Sequence, residues 1–326
     1  MKEVVLTAAG GPENFAVRTS LGGAPLPADA IRVRNMAAGV NFIDIYQRKG
    51  LYPVATPCVL GQEGAGLVIE AGPNAAFSKG DRVAYLSGFG AYAEETIVDA
   101  ARAARLPEGV SYDAAAASFL KGLTAEMLLR QVFPLKSGQT ALVTAAAGGV
   151  GSLLVPWAAH IGARVIAVVG DVSKVGAAIA SGAHDAIDRS ATPDIAGAVR
   201  RLTDGRGVDV VYDSVGEATF EASLNSLALR GTMVTYGNAS GPVPPIAPLE
   251  LTRRGSLTLV RPSLFHYATP ERLPSMAAAL FDLVARGVIG AKIAAAFPLE
   301  KAGDAHRMLE SGKTVGSIIL RPSPAN

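Results

Sequence analysis

The sequence predicts an α/β chain with a doubly wound parallel sheet and a second, β-rich domain. Three observations carry that expectation. From about residue 121, short apolar runs alternate with helical segments. Those runs are continuous rather than alternating polar and apolar, as strands buried on both faces require. Before residue 121, short β-type runs are separated by glycine and proline turns instead. A length of 326 residues also exceeds what one hydrophobic core normally serves, so two domains are expected.

The elements follow in order. Residues 30–34, 66–70 and 81–85 read as strands, with turn signals GGP at 10–12 and GPN at 72–74. Further on, strands are predicted at 140–144, 164–169, 184–188, 209–215, 232–236 and 256–260. Helices are predicted from the glycine turn to about 161, and at 173–181, 194–202 and 219–227. The last sixty residues offer helices at 271–286 and 301–311 and a final strand at 317–320. No internal repeat or low-complexity linker interrupts the pattern.

Composition excludes several classes of function. Apolar residues make up 49% of the chain and charged residues 18%, the balance of a packed globular protein. The net charge is +2 and no basic stripe stands out, so neither nucleic acid nor an anionic membrane is called for. Residues 141–159 carry no charge and are long enough to span a bilayer. Gly148, Gly149, Gly151 and Pro156 break that stretch, which reads better as strand, turn and helix. A single cysteine, Cys58, permits no internal disulfide and no multi-cysteine zinc site. With an N-terminus unlike a signal peptide, this leads to the expectation of a reducing compartment, most simply the cytoplasm.

The sharpest motif is TAAAGGVG at 144–151, directly after an apolar strand. Against G-x-G-x-x-G, the second and third glycines are Gly148 and Gly151, and the first position is Ala146. Gly148 would let the backbone approach a pyrophosphate, and Gly151 would let the helix pack on the sheet. Ala147, Gly148, Gly149, Val150 and Gly151 would then present amides and a positive dipole end to the phosphates. With the series of strands and helices downstream, this predicts a Rossmann-type dinucleotide-binding domain.

The second strand ends Val168-Val169-Gly170-Asp171, where NAD sites place an acid against the ribose. If Gly170 holds that place, there is room for a 2′-phosphate, with Lys174 and Arg189 to supply positive charge. This favours NADPH as the cofactor. An inward-pointing Asp171 would favour NAD instead, whereas Asp171 and Ser173 would otherwise cap the next helix, leaving Lys174 as a solvated charge.

The chain resembles the zinc-free quinone oxidoreductases, the zeta-crystallin-like branch of the medium-chain dehydrogenase/reductases. The resemblance is carried by GVNFIDIY (39–46), GLYP (50–53), GQEGAG (61–66), AASFLKGLT (116–124), AAAGGVG (145–151), VYDSVG (211–216), YGN (236–238) and RPSL (261–264). It implies a GroES-like β-barrel domain at 1–120, a Rossmann domain at 121–265, and a tail at 266–326 that returns to the first domain. It further implies an active site in the interdomain cleft and a homodimer. By the same resemblance, Asn41 and Tyr46 lie beside the nicotinamide, with Tyr52 on the same loop. Lys121 and Thr124 sit on the helix leading into the cofactor domain. Gly170, Lys174 and Arg189 surround the adenosine ribose. Tyr236, Gly237, Asn238, Val260, Arg261 and Pro262 face the nicotinamide half.

Zinc-dependent relatives carry cysteine and histidine where this chain has Asn41, Gln62 and Leu120, and His160, His184, His266 and His306 are scattered. No metal site is therefore expected. A quinone needs little Lewis-acid help, so placement and water exclusion would dominate, with Asn41, Tyr46 or Tyr52 donating to a developing oxyanion. Glu63 is read as structural. The leading expectation is an NADPH:quinone reductase. The alternatives are reduction of α,β-unsaturated carbonyls on the same site and a largely non-catalytic nucleotide- or RNA-binding protein.

Overall fold

The computed structural model describes residues 1–20 and 23–322. The chain divides into two compact units, residues 1–123 with 269–326 and residues 124–268.

The first unit begins with β1 (Lys2–Leu6), β2 (Phe15–Thr19), β3 (Ala30–Val40), β4 (Cys58–Val59), β5 (Glu63–Ala71), β6 (Arg82–Leu86), β7 (Glu95–Asp99) and β8 (Ala103–Arg105). A short helix, α1 (Phe42–Lys49), follows β3 directly. Its start is written locally: the Asn41 N–H donates to the Asp44 carboxylate three residues on. Its end is Gly50, in the left-handed region at φ +81°. A longer helix, α2 (Tyr112–Glu126), carries the chain into the second unit, and the division falls inside it. The helix therefore begins well before residue 121, where the sequence rhythm changes, because the alanine run from Ala114 to Ala117 extends it without punctuation.

The second unit is one parallel sheet of β9 (Thr140–Thr144), β10 (Arg164–Val169), β11 (Asp185–Asp188), β12 (Val208–Asp213), β13 (Leu227–Thr235) and β14 (Thr258–Val260). Its spatial order is β11-β10-β9-β12-β13-β14. The order reverses between β9 and β12, the switch point where open α/β sheets bind ligands. Helix α3 (Gly151–Ile161) follows β9. Leu142, Ile166, Val168, Val211, Phe220, Leu224 and Met233 pack in the core of this unit. The apolar strands fall within a few residues of the sequence expectation. The largest difference is β13, which starts at Leu227 and passes through Arg230 at φ +61° rather than beginning at 232.

The chain then returns to the first unit. Two strands, β15 (Ile293–Pro298) and β16 (Ser317–Arg321), join its larger sheet in the order β15-β16-β3-β5-β6-β8, with β7 also paired to β3. Strand β16 lies antiparallel on β3, with Ile319 opposite Gly39. A separate small sheet has the order β2-β1-β4.

Candidate active site

The parallel register sets where the functional groups of the second unit emerge. Val168 of β10 stands opposite Thr144 of β9, Val169 opposite Asp188 of β11, Asp213 of β12 opposite Thr235 of β13, and Val234 opposite Val260 of β14. All six strands thus end along one carboxyl edge. The residues just beyond those ends are Ala145 to Gly148, Gly170, Arg189, Ser214, Tyr236 to Asn238, and Arg261 with Pro262.

Between β9 and α3 the backbone makes a tight turn. Ala145 adopts φ +48°, unusual for a residue with a side chain. Gly148 N–H closes the turn on Ala145 O at 2.8 Å, and Ser152 N–H returns to Gly148 O at 2.8 Å. Among the described residues, the amides of Ala147, Gly149, Val150 and Gly151 meet no acceptor. A helix start leaves such donors for a ligand or water. The two motif glycines do different work. A Cβ on Gly151 would stand 2.4 Å from Ala145 O and 2.6 Å from Ala146 O, so only glycine permits the helix to start this close to the strand. A Cβ on Gly148 would meet only Ala145 within 4 Å, so its outer side is open to an approaching group.

At the end of β10, Asp171 is engaged as a cap: its Oδ1 accepts from Ser173 N at 3.0 Å and from the Ser173 hydroxyl. The Ser173 hydroxyl in particular holds its carboxyl below the usual range. Gly170 leaves open space, with no atom within 4 Å of a built Cβ. Lys174 is buried rather than a solvated charge. Arg189 is exposed, and its backbone N–H bonds Val169 O at 2.9 Å.

Asp213 ties the switch point together. This fully buried carboxylate accepts from Thr144 Oγ1 (3.2 Å), Val215 N (2.7 Å), Gly216 N (3.0 Å), Thr219 Oγ1 (2.6 Å) and Ser223 Oγ (2.7 Å). Thr144 Oγ1 in turn accepts from Ser214 N at 3.1 Å. One carboxylate therefore fixes the loops after β9 and β12 against each other. The loop after β13 is equally close: a Cβ on Gly237 would stand 2.3 Å from Ser214 O. Arg261 donates to Gly237 O at 3.0 Å and Thr235 Oγ1 at 3.2 Å. Gly237 and Arg261 are among the residues the sequence predicts for the site, whereas Asp213 is not; its signal in the sequence is an acid ending the apolar strand VDVVYD.

In the first unit, Glu63 is the centre of a buried cluster. Its Oε1 accepts from Asn41 Nδ2 at 3.0 Å and Lys121 Nζ at 2.8 Å, and its Oε2 accepts from Leu120 N at 2.7 Å. The cluster joins β5, the head of α1 and α2, which supports a structural role for Glu63. It also directs the Lys121 ammonium onto a carboxylate. Thr124 is buried on α2. Tyr46, buried on α1, meets the half-buried Tyr52 edge to face at 5.3 Å between ring centroids. Asp44, beside Asn41, is fully buried, and burial lifts its carboxyl to about 7.

Residues 27–108 match the family described as alcohol dehydrogenase GroES-like domain, and residues 149–282 the one described as zinc-binding dehydrogenase. A quinone oxidoreductase of Pseudomonas aeruginosa is 45% identical over 98% of this chain and 99% of its own length. The chain belongs to the quinone oxidoreductase family of the medium-chain dehydrogenase/reductases. A 2-haloacrylate reductase of a Burkholderia species is 42% identical, covering 96% of each chain. The structure of Escherichia coli quinone oxidoreductase complexed with NADPH superposes with a TM-score of 0.96, at 41% identity, covering 99% of this chain and 100% of that one. Within this family the second unit is the Rossmann domain and the first the GroES-like domain.

One family description names zinc, and the residues present do not suit that metal. Asn41 and Gln62 are amides, Leu120 is apolar, and every oxygen of Glu63 is already engaged. Among the described residues no three His, Cys, Asp or Glu side chains form a metal-holding group. Likewise, no helix among them is long and apolar enough to cross a membrane.

Proposed function

We propose that this chain reduces quinones with NADPH, without a metal. The observation that carries the reading is the row of unengaged amides at Ala147, Gly149, Val150 and Gly151, set at the switch point of the sheet. In this assignment those amides hold the diphosphate. Arg189 and Lys174 meet the 2′-phosphate beside Gly170, and Asp171 is engaged in capping the turn at Ser173 rather than in holding the ribose hydroxyls as the acid of an NAD site does. Tyr236, Gly237, Asn238, Val260, Arg261 and Pro262 are assigned to the nicotinamide half, and Lys121 and Thr124 on α2 are assigned to the cofactor as well. The cofactor, when bound, supplies a hydride from C4 of its nicotinamide.

Three groups are assigned to the substrate. Asn41 spends one Nδ2 proton on Glu63 and keeps the other for a substrate oxygen. Tyr46 and Tyr52 offer phenol hydroxyls to the same developing charge. An electron-poor quinone gives a delocalised phenolate, so hydrogen bonds and placement suffice, and the final proton comes from a phenol or from water. The relative that is a 2-haloacrylate reductase supports a second reading, hydride delivery to the β-carbon of an activated alkene on the same residues. A homodimer fits the open edge of β14, and a cytoplasmic protein fits a single free cysteine. The deciding experiment is parallel NADPH oxidation with 1,4-benzoquinone and an α,β-unsaturated ketone. Faster turnover of the quinone is expected. Turnover of the ketone alone would replace the first reading by the second.

A further inference from the structure

Four buried side chains of the first unit form a string that neither the fold nor the proposed reaction accounts for. Arg48, on the last turn of α1, is only 1% exposed. Its Nε donates to His306 Nδ1 at 3.3 Å, and its other nitrogens reach Gly10 O and Glu310 at 2.6 Å each. His306, from the helix Ala302–Glu310, lies with Nε2 3.0 Å from Tyr92 Oη. Tyr92 Oη donates to Asp44 Oδ2 at 3.0 Å. Arginine only donates, so His306 Nδ1 must accept, and a neutral imidazole then carries its proton on Nε2. Burial keeps the ring neutral by pulling its pKa down to about 3. Every direction is therefore fixed: Arg48 to His306, His306 to Tyr92, Tyr92 to Asp44. Because every bond of Arg48 is donated outward, the string is a fixed line of dipoles ending on a carboxylate.

That carboxylate is placed to matter. Asp44 Oδ2 also accepts the Asn41 N–H at 2.8 Å, while Oδ1 has no hydrogen-bond partner among the described residues. Burial raises Asp44 most, and Glu63 adds to this; the bonds from Asn41 and Tyr92 and the charge of Lys121 oppose it. Tyr92, Lys121 and Glu63 are the titratable groups that act on it, with His306 and Arg48 acting through Tyr92.

We propose that Tyr92, His306 and Arg48 are positioning residues for the reduction: by pinning Asp44 Oδ2 as an acceptor they hold Asn41 at the head of α1 and present Asn41 and Tyr46 together. The inference rests on the roles proposed above for Asn41 and Tyr46. When the free Oδ1 takes a proton, Oδ2 becomes a weaker acceptor, the anchor loosens, and turnover falls on the acid side.

Two readouts test it on the NADPH-loaded protein. Infrared difference spectra between pH 5 and 9 should show a protonated carboxyl band that titrates near pH 7 and is missing in Asp44→Asn. In Tyr92→Phe its midpoint should rise by about one unit, since the lost donor stabilised the carboxylate. In parallel, kcat for quinone reduction should show an acid limb at the same midpoint. That limb should disappear in Asp44→Asn and shift in Tyr92→Phe, lowering turnover at pH 6 by about tenfold against wild type. Should Tyr92→Phe fail to fold, His306→Met cuts the string one link earlier and should shift both readouts the same way, by less. A carboxyl band that stays in place in these variants, or an acid limb that survives in Asp44→Asn, overturns the proposal. Failure of the proposed function would look different: no NADPH oxidation by wild type, with the infrared titration and its shift intact.

Discussion

Replacing Gly151 by alanine tests the turn with one methyl group. The new Cβ would stand 2.4 Å from one backbone oxygen and 2.6 Å from the next, whereas ordinary contact begins near 3.4 Å. The start of α3 must therefore back away from β9 by about 1 Å, and no side chain can swing aside to spare it. Overpacking of this kind costs about 1–3 kcal/mol. For a unit of this size that lowers Tm by roughly 3–10 °C. The same displacement pulls the free amides out of line with a diphosphate. Losing the equivalent of one charge-assisted hydrogen bond, about 1.5–3 kcal/mol, weakens NADPH by roughly 10- to 100-fold. Calorimetric titration with NADPH alongside thermal melts reads both effects. Gly176→Ala is the control: it lies in a helix, in open space, and should stabilise by about 0.5–1 kcal/mol without touching affinity. If Gly151→Ala melts lower yet binds NADPH as tightly as wild type, the turn packs the helix but does not hold the cofactor, and the reasoning fails.

Other perturbations follow from the same geometry. Asp213→Ala strands five donors and should destabilise by about 3–5 kcal/mol in urea melts. Asp213→Asn should lose only about 1–3 kcal/mol, because the Thr219 and Ser223 hydroxyls can rotate to accept from the amide; equal losses would contradict this. Asp44 sits at about 7 in the folded chain against an ordinary 3.8, so folding takes up a proton between those values. Its contribution to stability is full below about pH 4 and fades as pH rises through 7, by on the order of 4 kcal/mol. Urea melts should therefore show wild type losing ground to Asp44→Asn across that window, and a difference independent of pH would refute the burial argument. Tyr46→Phe and Tyr52→Phe should each keep kcat within about tenfold of wild type, since neither phenol is the sole proton donor; a loss beyond about a thousandfold in either would identify an indispensable acid.

What the sequence made legible was what is local. The strand Thr140–Thr144, its glycine turn and α3 are a contiguous unit whose residues dictate their own geometry. The apolar strands of the second unit were legible for the same reason. Short helices were not: Phe42–Lys49 lies in a region that reads as β-rich, and Pro248–Arg253 follows a proline cluster that masks it. The buried polar clusters were least visible. Glu63 meets Lys121 across 58 positions, and Tyr92 meets His306 across 214. No periodicity reports such pairings. Only the Asn41–Asp44 spacing, that of a helix cap, left a local trace.

The proposed cofactor is a dinucleotide that bears a 2′-phosphate. Its most direct test is a pair of dissociation constants, NADPH and NADH side by side, for wild type, Lys174→Ala and Arg189→Ala. NADPH should bind more tightly to wild type, and each substitution should weaken it by roughly 3- to 10-fold while leaving NADH nearly unchanged. NADH binding the more tightly, with both substitutions indifferent, would contradict the cofactor assignment, and binding of neither would contradict the reading of the turn itself.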